Sequence, residues 1–212
     1  MDAGFWQRQW RDHQIGFHQS QFNSKLMRYF PELESAPGAD VVVPLCGKSR
    51  DMLWLQGQGF HVTGVELSTI AIEAFFSENH LDFQRKGDWY VGKQIRLFCG
   101  NFFDLEPPKD FSIAYDRASL IALPPSLRII YAQTLSRWLL PGGRCLLLSI
   151  EYDQGSCEGP PFSVEEAEIR SLFHAFHIKK LDSCQEKMNS LRMRKAGVKA
   201  VKENVYFLEK KF

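Results

Sequence analysis

The chain has 212 residues, a formal net charge of +1, 44% hydrophobic residues and 24% charged ones. That length can bury a sizeable core and fits one domain spanning 1–212, and the near-neutral balance excludes the positive field that a nucleic-acid partner would need. No run approaches the roughly eighteen apolar residues of a membrane span, and Met1 to Trp10 shows no basic-then-apolar leader, so no membrane partner is expected.

In chain order, the first feature is aromatic. Phe5, Trp6 and Trp10 share one face of an expected helix, and Phe22, Leu26, Tyr29 and Phe30 share a second. Residues 1–36 would cover a ligand site as a helical lid or pack on a sheet edge; the pattern fits both. The β-branched run Asp40-Val41-Val42-Val43-Pro44 reads as a buried strand. Ser49 is placed to cap a helix that runs to about Gln58, with Gly59 as its stop. His61 to Glu66 is the second strand, and Ser68 caps a helix with Ile72, Phe75 and Phe76 at helical spacing. Phe83–Tyr90 and Gln94–Cys99 read as a hairpin around Gly92. Phe111–Tyr115 is another strand, Pro125 opens a helix to Leu140, and Pro141-Gly142-Gly143 is a turn before a strand Arg144–Ile150. Ser163–Glu166 opens a further helix, and Phe176–Leu181 and Val205–Leu208 close the chain as strands.

Strands and helices alternating at short spacing imply an α/β fold: a mostly parallel, Rossmann-like sheet with helices on both faces and an antiparallel edge at the end of the chain. Ligands of such sheets bind beyond the carboxyl ends of the strands, at the switch point. This directs attention to the loops Leu45–Lys48, Glu66–Ser68, Gly100–Phe103 and Asp116–Ser119.

The loop Leu45-Cys46-Gly47-Lys48-Ser49 follows a strand and opens a helix, so its backbone N–H groups suit a carboxylate or phosphate. A P-loop would need glycine at position 42, where Val42 stands, and a dinucleotide fingerprint would need more than the lone Gly47. A methyltransferase loop needs only one glycine; an ordinary strand–helix turn is the bland alternative. Glu66 stands at the end of the second strand, about 20 residues on, where an acidic side chain holds ribose hydroxyls. Asp116-Arg117 follows a buried strand at the point where an acceptor meets the cofactor in this topology. Arg117 would bind an anionic acceptor or a cofactor carboxylate through two-pronged hydrogen bonds, and Asp116 would orient it or accept a proton. A charged pair that only caps the sheet remains the alternative. The five cysteines form no C-x-x-C pair and the histidines no ligand spacing. No disulfide framework and no metal are therefore expected, and a reducing cytoplasm is the default location. The basic stretch Lys187–Lys202 reads as a solvated loop with one arginine turned inward.

Together these residues resemble the thiopurine S-methyltransferase family. The resemblance rests on Pro44-Leu45-Cys46-Gly47-Lys48, on Val62-Thr63-Gly64-Val65-Glu66, on Tyr115-Asp116-Arg117, and on Trp6, Trp10 and Ile15-Gly16-Phe17-His18 at the start. It extends through Leu139–Gly143 to Val205-Tyr206-Phe207-Leu208 and so covers nearly the whole chain. It implies a class I methyltransferase with a seven-stranded sheet, S-adenosyl-L-methionine as cofactor and S-adenosyl-L-homocysteine as its product. Trp10, Leu45, Gly47, Glu66, Asn101, Phe102 and Arg117 would contact the cofactor. Phe17, Arg117 and Arg192 would line the acceptor pocket, with Arg192 placed by counting back from Tyr206 through Gly197. The implied acceptor is a small aromatic or heterocyclic thiol such as a thiopurine, or a selenium or tellurium species, handled by a monomer in detoxification. Methylation of halide or thiocyanate on a similar fold, and a non-catalytic module that only binds S-adenosylmethionine, are the competing expectations.

Overall fold

The computed structural model describes residues 3–187 and 190–212. Met1, Asp2, Met188 and Asn189 lie outside the described residues, and with them parts of the expected cover 1–36 and of the basic stretch 187–202.

The chain builds one nine-stranded sheet around β1 (Asp40–Val43), β2 (His61–Glu66), β5 (Ile95–Cys99), β6 (Phe111–Arg117) and β7 (Leu139–Glu151), which pair in parallel. β8 (Phe176–Lys187) and β9 (Ala200–Lys210) complete one edge, where β9 runs antiparallel to both β7 and β8. β3 (Gln84–Lys86) and β4 (Trp89–Val91) complete the other. The order is β3-β4-β5-β2-β1-β6-β7-β9-β8. The expected seven strands are β5 to β8 of this order, and the β3–β4 hairpin extends them.

That extension differs from the expected single strand over 83–90. The run folds back at Gly87-Asp88, where Gly87 has φ +61°, and Lys86 pairs with Trp89. A Gly-Asp step is a two-residue hairpin turn. Conversely, Pro141-Gly142-Gly143 does not separate helix from strand. β7 already begins at Leu139, and the glycines form an irregularity that shifts its pairing with β6 from Phe111↔Leu139 to Ile113↔Arg144.

Successive strand residues face opposite sides of the sheet, so each strand feeds two cores. Val41, Val43, Ile113 and Tyr115 pack under α2 (Ser24–Tyr29), α3 (Asp51–Gly57) and α4 (Thr69–Glu78) through Leu26, Met52, Leu55, Ile72 and Phe75. Val42, Ala114 and Leu147 pack on the other side against α5 (Pro125–Trp138) and α6 (Glu166–Leu172) through Tyr131, Leu135, Trp138 and Ile169. Each fully buried Leu, Ile or Phe of these cores contributes about 1.5–3 kcal/mol. The N-terminal helix α1 (Ala3–Arg11) lies over the carboxyl ends of the strands with Trp10 buried, and a short helix α7 (Leu191–Lys195) precedes β9. Among the described residues no helix is long and apolar enough to cross a membrane.

Candidate active site

The strand order reverses beside β1, with β2 on one side and β6 on the other, which opens a crevice at their carboxyl ends. β1 and β6 leave the sheet through strained residues. Leu45 has φ +43° and Ala118 has φ +77°, values that residues with a Cβ rarely adopt and that cluster at functional sites. Ser119 Oγ donates to the Pro44 carbonyl at 2.7 Å and so fastens the two loops together.

The loop after β1 is held from below and covered from above. Cys46 donates its N–H to Val65 O at 2.9 Å, and its buried side chain sits over Gly64, where a Cβ would come within 2.7 Å of the sulfur. Burial and the nearby Glu66 carboxylate push the Cys46 thiol well up, so it is an inert packing group rather than a nucleophile. Gly47 has φ +53°, and a Cβ there would lie 3.0 Å from the Trp10 ring. Trp10 therefore lies directly on the glycine, and Phe17 packs edge-on against both Trp6 and Trp10 at 5.5 Å. The Phe17 ring remains 41% exposed.

Glu66 is buried at the end of β2. Its Oε2 accepts from Gly47 N at 2.9 Å and its Oε1 from Ser68 N at 2.8 Å. Each oxygen keeps a second lone pair for a hydroxyl donor. Burial pushes this carboxyl above its ordinary range, and the backbone N–H bonds from Ser68 and Gly47 pull against that shift. Asn101 follows β5 and is exposed. Its side-chain oxygen accepts from Phe103 N at 3.3 Å while its amide donates to Asp104 at 3.0 Å. The Phe102 ring is 4.4 Å from Trp138 and 5.1 Å from Tyr131, so its side chain belongs to the core.

Asp116 and Arg117 part company. Adjacent strand residues point to opposite faces, and the pair obeys that rule. Asp116 is fully buried on the α5 side; its carboxylate accepts from Ser119 N at 3.0 Å, Leu120 N at 3.3 Å and the Tyr131 hydroxyl at 2.6 Å. Burial raises its pKa against those hydrogen bonds. Asp116 shapes the loop after β6 and does not orient Arg117, contrary to one expectation from sequence. That role falls to Asp51, at the start of α3. Asp51 is 1% exposed; its Oδ2 accepts from Arg117 Nε at 2.9 Å and from the Tyr115 hydroxyl at 3.0 Å. Arg117 Nη2 also donates to Ser49 Oγ at 3.1 Å. Ser49 accordingly serves the arginine as well as the first turn of α3, whose Asp51 N it receives at 3.3 Å.

Arg192 is exposed on α7 and donates through Nη1 to Glu158 O at 3.4 Å and through Nη2 to Pro160 O. It braces the 158–160 loop, whose neighbour Phe162 donates its N–H to Ile121 O at 2.7 Å just beyond β6. His18 is a residue that composition and spacing did not single out. Burial and the cations Lys48, Arg117 and Arg50 lower its pKa, with Glu78 opposing them, so it is neutral at neutral pH beside a basic rim.

A doubly wound sheet with a single-glycine loop on β1 and a buried acidic residue ending β2 defines a class I S-adenosylmethionine-dependent methyltransferase. Comparisons agree: the fold is similar to that of a Burkholderia thailandensis 1,6-didemethyltoxoflavin-N1-methyltransferase with bound S-adenosylhomocysteine (TM-score 0.68, 19% identity, 99% of this chain and 87% of that one). It is also similar to the N-methyltransferase NodS of Bradyrhizobium japonicum, with the same bound product (TM-score 0.61, 13% identity, 89% and 88%). The model of the family Thiopurine S-methyltransferase (TPMT) matches residues 1–211, and the chain belongs to that family. Relatives named thiopurine S-methyltransferase include those of Pseudomonas putida strain GB-1 (45% identity over 97% of this chain and 98% of the relative) and Nitrosospira multiformis (42%, 98% of each).

Proposed function

We propose that this enzyme methylates the sulfur of small aromatic or heterocyclic thiols, thiopurines among them, with selenium and tellurium species as further acceptors. The observation that carries the reading is Arg117. It is a guanidinium fixed on one side by Asp51 and Ser49, at the crevice where Phe17 offers an exposed apolar ring. Its remaining N–H groups suit an anionic acceptor.

The residues present fit S-adenosylmethionine. The missing side chain of Gly47 lets the Trp10 indole close over the loop, and Glu66 retains acceptor capacity for a ribose diol. In this reading Trp10, Leu45, Gly47, Glu66, Asn101 and Phe102 hold the cofactor, and Arg117, which the resemblance gives to both cofactor and acceptor, acts chiefly on the acceptor. Phe17, Arg117 and Arg192 form the acceptor side, Arg192 through its brace on the 158–160 loop. When bound, the cofactor supplies a methyl group already activated on a sulfonium sulfur. The protein's task is then alignment and exclusion of water, and orientation alone is worth about 7–11 kcal/mol of barrier. Arg117 lowers the energy of the thiolate form of the acceptor and holds it in line. An aromatic thiol is more acidic than cysteine, whose reference pKa is about 8.5, so no dedicated base is required. Asp116 is sealed from the crevice, and its carboxylate serves Ser119, Leu120 and Tyr131 instead.

Arg117→Ala is expected to lower kcat/KM for an aromatic thiol by about 10- to 100-fold, the worth of a hydrogen bond to a charged group. The cofactor dissociation constant from calorimetry stays within about threefold, a gap that every tenfold at 1.4 kcal/mol makes easy to resolve. Loss of cofactor affinity with normal turnover at saturating cofactor overturns the assignment. Turnover of halide or thiocyanate but no thiol, read by headspace gas chromatography, moves the enzyme to the competing acceptor class.

A further inference from the structure

We propose that Asp51 is a positioning residue for methyl transfer, one buried carboxylate that makes the seating of the N-terminal segment and the aiming of Arg117 a single event. The proposal rests on the thiol reading of the same site.

The geometry is explicit. Oδ2 of Asp51 receives Arg117 Nε and the Tyr115 hydroxyl, and Oδ1 receives the backbone N–H of Asn23 at 2.8 Å. Asn23 is the residue at which the N-terminal segment turns into α2; its own side chain accepts from Lys25 N at 2.9 Å and Leu26 N at 3.1 Å. The segment before it passes over the crevice and is pinned again where Arg50 Nη1 meets Ser20 O at 2.8 Å and where Trp10 lies on Gly47. Burial and the Asp51 charge keep the Tyr115 hydroxyl protonated, so it stays a donor. A carboxyl group that is 1% exposed needs its donors, because an unpaired polar atom in the interior is costly. Unseating Asn23 would leave Oδ1 without its donor and weaken the hold on the whole group. The reverse also holds: a guanidinium displaced from Oδ2 loosens the anchor of Asn23. Nothing in sequence separation suggests this link, since its members come from the start of α2, the start of α3 and the end of β6.

Asn23 offers a clean separation of effects. It has φ −67°, which proline adopts without strain. Asn23→Ala removes the side-chain cap of α2 and keeps the N–H to Asp51. Asn23→Pro removes both. The experiment compares kcat, the acceptor KM and the cofactor dissociation constant for the parent, Asn23→Ala, Asn23→Pro and Asp51→Asn, each with its melting temperature. Aromatic thiols with and without a carboxylate serve as acceptors. The expected result is a kcat at least fivefold lower for Asn23→Pro than for Asn23→Ala, and at least tenfold lower for Asp51→Asn than for the parent. Cofactor affinity should remain within threefold in all of them. Equal kcat for the two Asn23 variants, or an Asp51→Asn variant that melts earlier yet keeps kcat, overturns the proposal and assigns Asp51 to stability alone. A parent enzyme that turns over no thiol overturns the functional reading instead, and the two failures are distinguishable.

Discussion

In the cofactor reading proposed above, Glu66 is a side chain that serves binding at the expense of folding. Its folded pKa is raised by burial, so in the range above the ordinary carboxylate value the folded state binds more protons than the unfolded one. The sign follows: stability falls as pH rises through that range, because the charge is buried. Glu66→Gln carries no such cost, so its melting temperature relative to the parent should improve from about pH 4.5 towards neutrality. The same substitution replaces one diol acceptor by an amide donor and should weaken S-adenosylmethionine binding at least tenfold by calorimetry. A neutral-pH variant that binds as tightly as the parent removes Glu66 from the cofactor site. The positions of Glu66, Gly47 and Arg117 at or just after strand ends were legible from sequence, because each lies within a local pattern. Asp51 was not: it looks like an ordinary first-turn acid of a helix, and only the parallel pairing of β1 with β6 brings it to Arg117. The alternation of β6 could have warned that Asp116 and Arg117 serve opposite faces.

At the scale of elements, the N-terminal segment packs over strand ends rather than beside the sheet edge, with Trp10 on Gly47 and Asn23 on Asp51. His18 lies within it. Burial and then Lys48 are the largest causes that depress its pKa, with Arg117 and Arg50 adding to them. A histidine of lowered folded pKa binds protons more readily when released, so the seated segment loses stability as pH falls below the ordinary value of about 6.5. Hydrogen exchange over residues 12–22 should therefore accelerate between about pH 7 and pH 5.5 in the parent relative to the core strands. His18→Gln should abolish that difference. A parent whose segment opens no faster in acid would show that the rim cations do not bear on it. The seven main strands and helices α3 to α6 were legible from their apolar runs and turn signals, whereas α7 lies in a basic stretch that reads as a solvated loop. The β3–β4 hairpin and the β7 irregularity were not, because glycines in a strand mark turns and bulges alike.

Across the whole molecule, the two ends of the chain are joined by one ammonium. Lys25, on α2, lies 2.7 Å from Cys184 Sγ, 3.3 Å from Glu186 and 3.1 Å from Glu203, so it bridges the first helices to the β8–β9 edge. Cys184, Glu186 and Glu203 converge within 4.8 Å, a donor set that would suit a cation, and Lys25 occupies that place. Burial works to lower the Lys25 pKa, but the hydrogen bonds that its ammonium donates to Cys184 and Glu203 prevail and hold it above the ordinary lysine value. Its contribution to stability is thus fully present below that value and is lost only as pH rises through the elevated one. Lys25→Met keeps the length and removes the charge. Hydrogen bonds to charged groups are worth about 1.5–3 kcal/mol, and Glu186 is half exposed, which holds the loss below the roughly 3–5 kcal/mol of a fully buried pair. Denaturant unfolding should show that deficit, and it should stay constant between about pH 6 and pH 9 because lysine does not titrate there. Lys109→Ala, which removes an exposed partner of Asp40, sets the scale for an ordinary surface pair at less than about 1 kcal/mol. A Lys25→Met deficit no larger than that of Lys109→Ala would mean that the two ends hold together through the apolar contacts of Leu26, Phe30 and Leu33 without the ammonium. A larger one makes the cation the clasp that keeps the N-terminal helices over the site.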